Sequence, residues 1–147
     1  DLILNQAIDN FEFKSYETSL DVKDFDTSFV KGLSFEDGCA TLTKFTAYLI
    51  ADGLRKINKQ NNINPHQYIF CGGGRKNKSL MQSIENYLAN KNIIIKDIDD
   101  YNFDGNFIES QAFAYLAIRS YLKLPISFPS TTRSKKAISG GDILQNF

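Results

Sequence analysis

Tyr68-Ile69-Phe70-Cys71-Gly72-Gly73-Gly74-Arg75-Lys76-Asn77 carries an apolar run into three consecutive glycines and a polar turn, after which a new apolar periodicity begins. A strand, a loop of bare backbone and a helix account for that order. Such an arrangement puts a ligand site at the carboxyl edge of a sheet. Glycine reaches left-handed backbone angles there and lets a flat or charged ligand touch the main chain. A tight strand-to-helix turn with no ligand would use the same residues, so the segment constrains the fold more than the chemistry.

The flanking sequence extends the pattern. Ser34 is placed to cap a helix, and Asp37 supplies the acidic half of a capping box. Leu42, Phe45, Thr46, Leu49, Ile50, Gly53, Leu54 and Ile57 recur at three- and four-residue steps, predicting about six turns with one buried face. Gly53 costs about 1 kcal/mol of helix propensity relative to alanine, which points to close packing. The polar run Asn58 to Asn64 and Pro65 end this helix. A strand near Gln67 to Cys71 follows, then the glycine loop. A second helix from about Ser79 to Ala89 carries Leu80, Met81, Ile84 and Leu88 on one side. Ile93-Ile94-Ile95 suits a strand buried on both faces.

Helix, strand, helix, strand predicts an α/β unit with a mixed or mainly parallel sheet flanked by helices. Phe107, Ile108, Gln111, Ala112, Tyr115, Ile118, Arg119 and Leu122 mark a third helix from about Gly105, and its alanines imply close contact with a helix or sheet. Residues 1–33 are aromatic, acidic and weakly periodic, as in Phe11-Glu12-Phe13, and are expected to form short helices or loops. The organised unit is then 34–147. Its tail from Pro125, with Pro129, Arg133, Lys135, Lys136 and Gly140-Gly141, reads as an ordered irregular segment or a flap.

Composition narrows the function. The 147 residues suffice for one domain with a real core, and 17 basic residues balance 17 acidic ones. That is not the charge of a nucleic-acid or anionic-membrane binder. Cys39 and Cys71 match no metal-ligand spacing and are expected as reduced core residues of a cytoplasmic protein. No apolar stretch is long enough to cross a bilayer and no leader precedes the first residues. An opening on Asp1 is what a processed, split or truncated product would show.

Asp97, Asp99, Asp100 and Asp104 read as a solvated turn before a helix, with magnesium contact as the alternative and no calcium-loop spacing. His66 lacks a serine or cysteine partner for nucleophilic catalysis. Neither a P-loop nor a dinucleotide fingerprint is present. Nucleotide binding through backbone amides, a helix amino terminus and the Asn77 side chain is permitted. From the residues alone this is a ligand-binding α/β domain whose reaction is undetermined.

Three blocks in this order and spacing resemble the carboxyl-terminal part of anhydro-N-acetylmuramic acid kinases, the sugar kinases of bacterial cell-wall recycling. They are Cys39-Ala40-Thr41-Leu42-Thr43-Lys44-Phe45-Thr46-Ala47, then Cys71 to Asn77 with Leu80-Met81, then Asp104-Gly105-Asn106-Phe107-Ile108-Glu109-Ser110-Gln111-Ala112-Phe113-Ala114-Tyr115-Leu116-Ala117. A weaker fourth block runs from Leu124-Pro125 through Pro129-Ser130-Thr131-Thr132.

The resemblance implies one RNase H-like lobe of an actin, hexokinase and heat-shock-type ATPase fold, in which two lobes enclose ATP. It implies an enzyme that uses ATP, Mg2+ and water to open a 1,6-anhydro sugar ring while phosphorylating its 6-oxygen. Carried over residue by residue, Gly72, Gly73 and Gly74 would face the nucleotide and Asn77 would sit beside it. Glu109 would stand at the edge of the site, or serve only as a first-turn helix charge.

The departures are as informative. These kinases are more than twice this length, and their phosphate loop and general-base aspartate lie in an amino-terminal half with no counterpart here. No catalytic residue and no metal ligand is therefore assigned to this chain. Arg133 stands where a glycine is usual after the threonines. The expectation is a carboxyl-terminal lobe that is inactive without an amino-terminal partner lobe, ATP and an anhydro-sugar. The alternative is a non-catalytic remnant or split-gene product that binds a ligand or self-associates as a homodimer.

Overall fold

Ser34 sets the start of the longest helix. Its hydroxyl oxygen accepts the Asp37 N–H at 3.1 Å, and its O–H donates to the Asp37 carboxylate at 2.8 Å. The carboxylate thus returns to the hydroxyl, rather than to the backbone N–H of a full capping box. The computed structural model describes residues 2–11, 21–89 and 93–144, so Glu12 and Phe13 fall outside the described residues.

Helix α1 spans Leu2–Asn10, and two 3-10 turns at Val22–Asp24 and Ser28–Val30 lead into α2, Phe35–Gln60. At 26 residues α2 outruns the six turns expected. Asn58, Lys59 and Gln60 continue it: the half-buried Asn58 amide donates to the Tyr68 hydroxyl, and the exposed Lys59 and Gln60 side chains do not oppose helical backbone. It stops where Asn62 turns left-handed, at φ 51°.

Helix α2 separates two apolar clusters. On one side Phe45 packs with Leu4 and Ala7 of α1, and its ring meets Phe29 and Phe11 edge-on at 5.0 and 5.6 Å. On the other side Ala47 and Ala51, both fully buried, meet Ile84 and Leu88 of α3, Lys78–Leu88. The two alanines supply no bulk of their own and let the α3 side chains close on the α2 backbone. Thr46 and Ile57, expected on the buried face, are exposed.

Strands β1, Gln67–Phe70, and β2, Ile94–Asp97, form a parallel two-stranded sheet with Gln67 opposite Ile94 and Phe70 opposite Asp97. Helix α3 connects them. Tyr68, Phe70 and Ile95 join the α2–α3 cluster, so helices cover one sheet face. The other face carries Ile69 at 45% and Ile94 at 55% exposure. The isoleucine run is therefore not buried on both faces: alternation turns Ile94 away from the helices and Ile95 toward them.

Helix α4, Ile108–Tyr121, also departs from expectation, since none of its residues is buried and its alanines are exposed. The tail is ordered and strapped to α4. Arg119 Nε donates to the Pro125 carbonyl at 2.6 Å, the Ser120 hydroxyl donates to the Gly140 carbonyl, and Ile126 and Ser127 pair with Ile138. Pro129–Thr132 forms one helical turn that ends on Arg133 at φ 58°. Cys39 and Cys71 are free and exposed, contrary to the core placement expected of them. Cys39 lies on the outer side of α2, and Cys71 follows the last residue of β1. No described helix is long and apolar enough to cross a membrane.

Candidate functional site

The glycine loop leaves the carboxyl end of β1, where the main chain must turn sharply to enter α3. Gly72 makes that turn at φ 83° and ψ 173°, a conformation that side chains resist. Gly73–Lys76 then form a 3-10 turn, and Asn77 ends it while opening α3. The Asn77 Oδ1 accepts the Leu80 N–H at 3.1 Å. Its carbonyl oxygen is thus spent on capping, which leaves the amide NH2 as the part able to donate outward.

Of the three glycines the described fold requires only the first. Gly72 answers a backbone requirement. A Cβ on Gly74 would meet Leu80 Cδ2 at 3.7 Å, an ordinary contact. Gly73 has no positive φ, and a Cβ built on it would touch nothing within 4 Å. Neither the backbone nor the packing of the fold calls for glycine at position 73.

Arg75 holds this loop in place. Its side chain is 3% exposed. Nε donates to Asp97 Oδ1 at 3.0 Å, Nη2 to Asp99 Oδ2 at 2.6 Å and Nη1 to the Gly72 carbonyl at 3.0 Å, with Asn106 Oδ1 at 3.5 Å from Nη1. The far side of the ring of contacts closes through the backbone. Gly72 N–H donates to the Gly105 carbonyl at 3.2 Å, and Gly105 N–H donates to Asp99 Oδ1 at 2.6 Å. A Cβ on Gly105 would fall 2.6 Å from Arg75 Cζ, so the guanidinium and the Gly105 backbone lie face to face.

Hydrogen bonding to Asp99 is the chief cause that raises the Arg75 pKa above its ordinary value, with Asp97 adding to it. The same guanidinium, then the Gly105 amide, hold the Asp99 carboxyl below the usual carboxylate range. Both groups stay charged at neutral pH.

This network revises the reading of the acidic loop. Asp97 and Asp99 are more than a solvated turn, because both engage Arg75. Asp104 Oδ1 accepts from the Asn106 backbone and side chain at 2.9 and 2.7 Å, shaping the lead into α4. Among the described residues no group of three His, Cys, Asp or Glu side chains is arranged to hold a metal ion.

Glu109 is exposed in the first turn of α4. It follows the Gly105–Asn106 segment that Arg75 ties to the glycine loop, so the two candidate site segments belong to one hydrogen-bonded unit. His66 is exposed at the approach to β1, its carbonyl accepting the Ile94 N–H. Arg75 was not singled out by the sequence. The available signal was charge complementarity between one arginine directly after the glycines and the aspartates after the next strand.

A family model described as anhydro-N-acetylmuramic acid kinase (AnmK) matches residues 9–146. The chain is 57% identical to the anhydro-N-acetylmuramic acid kinase of Pelagibacter ubique (strain HTCC1062), across all of this chain and 40% of that relative. It is 41% identical to the one from Caulobacter vibrioides over 86% of this chain, and 39% identical to the one from Zymomonas mobilis over 85%, in each case 32% of the relative. The chain thus spans about a third to two-fifths of the length of these relatives.

Proposed function

The chain belongs to the anhydro-N-acetylmuramic acid kinase family, and on that premise we propose that it is the carboxyl-terminal, RNase H-like lobe of a cytoplasmic two-lobe sugar kinase with an actin-like ATPase fold. In this reading residues 34–147 form the nucleotide-binding lobe, and 1–33 are a looser lead-in. Gly72, Gly73 and Gly74 lie against ATP, the Asn77 amide donates beside it, and Glu109 edges the sugar side of the cleft.

The observation that carries the reading is Gly73. Among the described residues no contact accounts for its missing side chain, and it sits in a loop whose position Arg75 holds. A ligand pressed against the main chain would give glycine a purpose there. The start of α3 adds N–H groups suited to phosphate oxygens.

The residues fit the nucleotide better than they fit its metal. Mg2+ would arrive with the ATP phosphates and supply charge neutralisation. Asp97 and Asp99 are given to Arg75 in this reading, and no metal ligand is assigned to this chain. The reaction cleaves the sugar's anhydro bridge with water, hydroxylating carbon 1, and places the γ-phosphoryl group of ATP on the released 6-oxygen. The general-base aspartate belongs to the amino-terminal lobe, and the closed cleft excludes water other than the attacking one. This lobe alone binds nucleotide weakly and turns over no sugar.

Isothermal titration with ATP and Mg2+ tests this reading, with and without the remaining part of the Pelagibacter relative. Binding that tightens with the added part, followed by phosphorylation of 1,6-anhydro-N-acetylmuramic acid, supports it. Absence of nucleotide binding in both states refutes it. A second reading, a non-catalytic domain that self-associates, draws on the apolar side chains α4 leaves exposed. It calls for a stable homodimer that binds no nucleotide.

A further inference from the structure

We propose that the outer face of α4, with the trough beside it, is the docking surface for the part of the kinase chain that this sequence does not cover, rather than for a second copy. The proposal rests on the assignment of this chain as one lobe of a larger kinase. Phe113 is 65% exposed, Ile118 60% and Tyr121 69%. Together with Leu116, Ile126 and Ile143 they line an open, largely apolar trough of about 660 Å³. Monomeric domains rarely leave so many apolar side chains of one helix uncovered without a partner for them. The trough is held in shape, not collapsed, because Ser120 and Arg119 strap the tail along α4.

Two further observations identify the occupant. The sheet is also bare on one side, with Ile69 and Ile94 about half exposed, and two strands alone make a marginal sheet. An α/β layer is completed by covering both its open face and its unburied helix. Secondly, this chain aligns over its whole length with only 40% of the Pelagibacter relative, so about three-fifths of the relative's chain has no counterpart here. That uncovered length is enough chain to supply the covering structure.

The test is a chimera in which this whole chain replaces the matching two-fifths of the Pelagibacter relative, compared with this chain by itself. Neither ATP nor sugar is added, so failure of docking is distinguishable from failure of the kinase reading, which the nucleotide titration addresses. Amide exchange across Ile108–Tyr121 should slow at least about tenfold in the chimera. Phe113→Asp and Tyr121→Asp should each lower the chimera's Tm by about 5 °C or more. Phe35→Asp, at a residue 82% exposed and outside the trough, should leave that Tm unchanged. In the isolated chain all three substitutions should be near neutral, since the side chains already face water. The proposal is overturned by α4 exchange as fast in the chimera as in the isolated chain, or by trough variants no more disruptive than Phe35→Asp. It is equally overturned by a homodimer of the isolated chain that protects α4.

Discussion

Gly105→Ala and Gly73→Ala add the same methyl group to neighbouring loops and should have opposite consequences. At position 105 the new Cβ would lie 2.6 Å from Arg75 Cζ, 2.7 Å from Arg75 Nε and 2.7 Å from Ile98 Cγ2. Carbon atoms in contact sit about 3.5–4.0 Å apart, so each approach is short by about 1 Å. Long arginine side chains ordinarily swing aside, but this guanidinium is bonded to Asp97, Asp99 and the Gly72 carbonyl. The loops must therefore separate, at a cost of about 1–3 kcal/mol typical of overpacking. At 2 kcal/mol, Tm falls by about 4–8 °C for a chain of this size. At position 73 the methyl meets nothing and the backbone is ordinary, so restriction of the unfolded chain should stabilise by about 0.4–1 kcal/mol. Urea unfolding of both variants reads the stability difference, and ATP titration reads the other half: Gly73→Ala should weaken binding while the fold gains stability. A Gly105→Ala protein within about 0.5 kcal/mol of the parent would show that Arg75 does not hold the loop. A Gly73→Ala protein with unchanged ATP affinity would remove the nucleotide from that loop.

Three other outcomes are expected. Ile84→Ala, at a fully buried side chain between α2 and the sheet, should cost about 2–5 kcal/mol in urea unfolding, and Ile94→Ala on the open face far less. Asp99→Asn should change the acid limb of stability. Because the folded Asp99 pKa is lowered, its contribution is present in full above the ordinary carboxylate value near 3.8 and is lost as pH falls through the folded value. Stability profiles of parent and variant should therefore be parallel above about pH 5 and converge toward strong acid; profiles that stay parallel to the lowest pH contradict the bridge. Arg133→Gly should be more stable than Arg133→Ala by up to about 1 kcal/mol in urea unfolding, since both remove the side chain and only glycine takes the left-handed φ of 58° without cost.

The order of elements was legible because periodicity survives in a single sequence. Ser34, the Leu80–Leu88 stripe and the strand before Gly72 all stand where their patterns placed them. Burial was less legible. Ala47 and Ala51 of α2 are fully buried, yet small side chains carry little hydrophobic signal, and their role depends on how closely α3 approaches. Ile93-Ile94-Ile95 suggested a strand covered on both faces and the alanines of α4 a close contact with a helix or sheet, and the described residues supply neither cover. Composition records what a segment is suited to bury, not whether the covering surface is present. In the candidate site the glycines were visible as a run. The division of labour among Gly72, Gly73 and Gly74, however, depends on one dihedral angle and on neighbours distant in sequence. Arg75 was hidden for the same reason: its partners, Asp97 and Asp99, lie 22 and 24 positions away.

The clamp around Arg75 also bears on affinity. A free three-glycine loop is among the most disordered segments a chain can contain, and fixing its backbone costs on the order of 3–6 kcal/mol. Here Gly72 is anchored at its amide to Gly105 and at its carbonyl to the guanidinium, so folding itself removes that freedom. A ligand that met Gly73, as proposed, would encounter a preorganised surface and need not order it, so contact made there would be retained as affinity. Loosening the clamp would therefore weaken binding through entropy, even if every atom that touches the ligand were left unchanged.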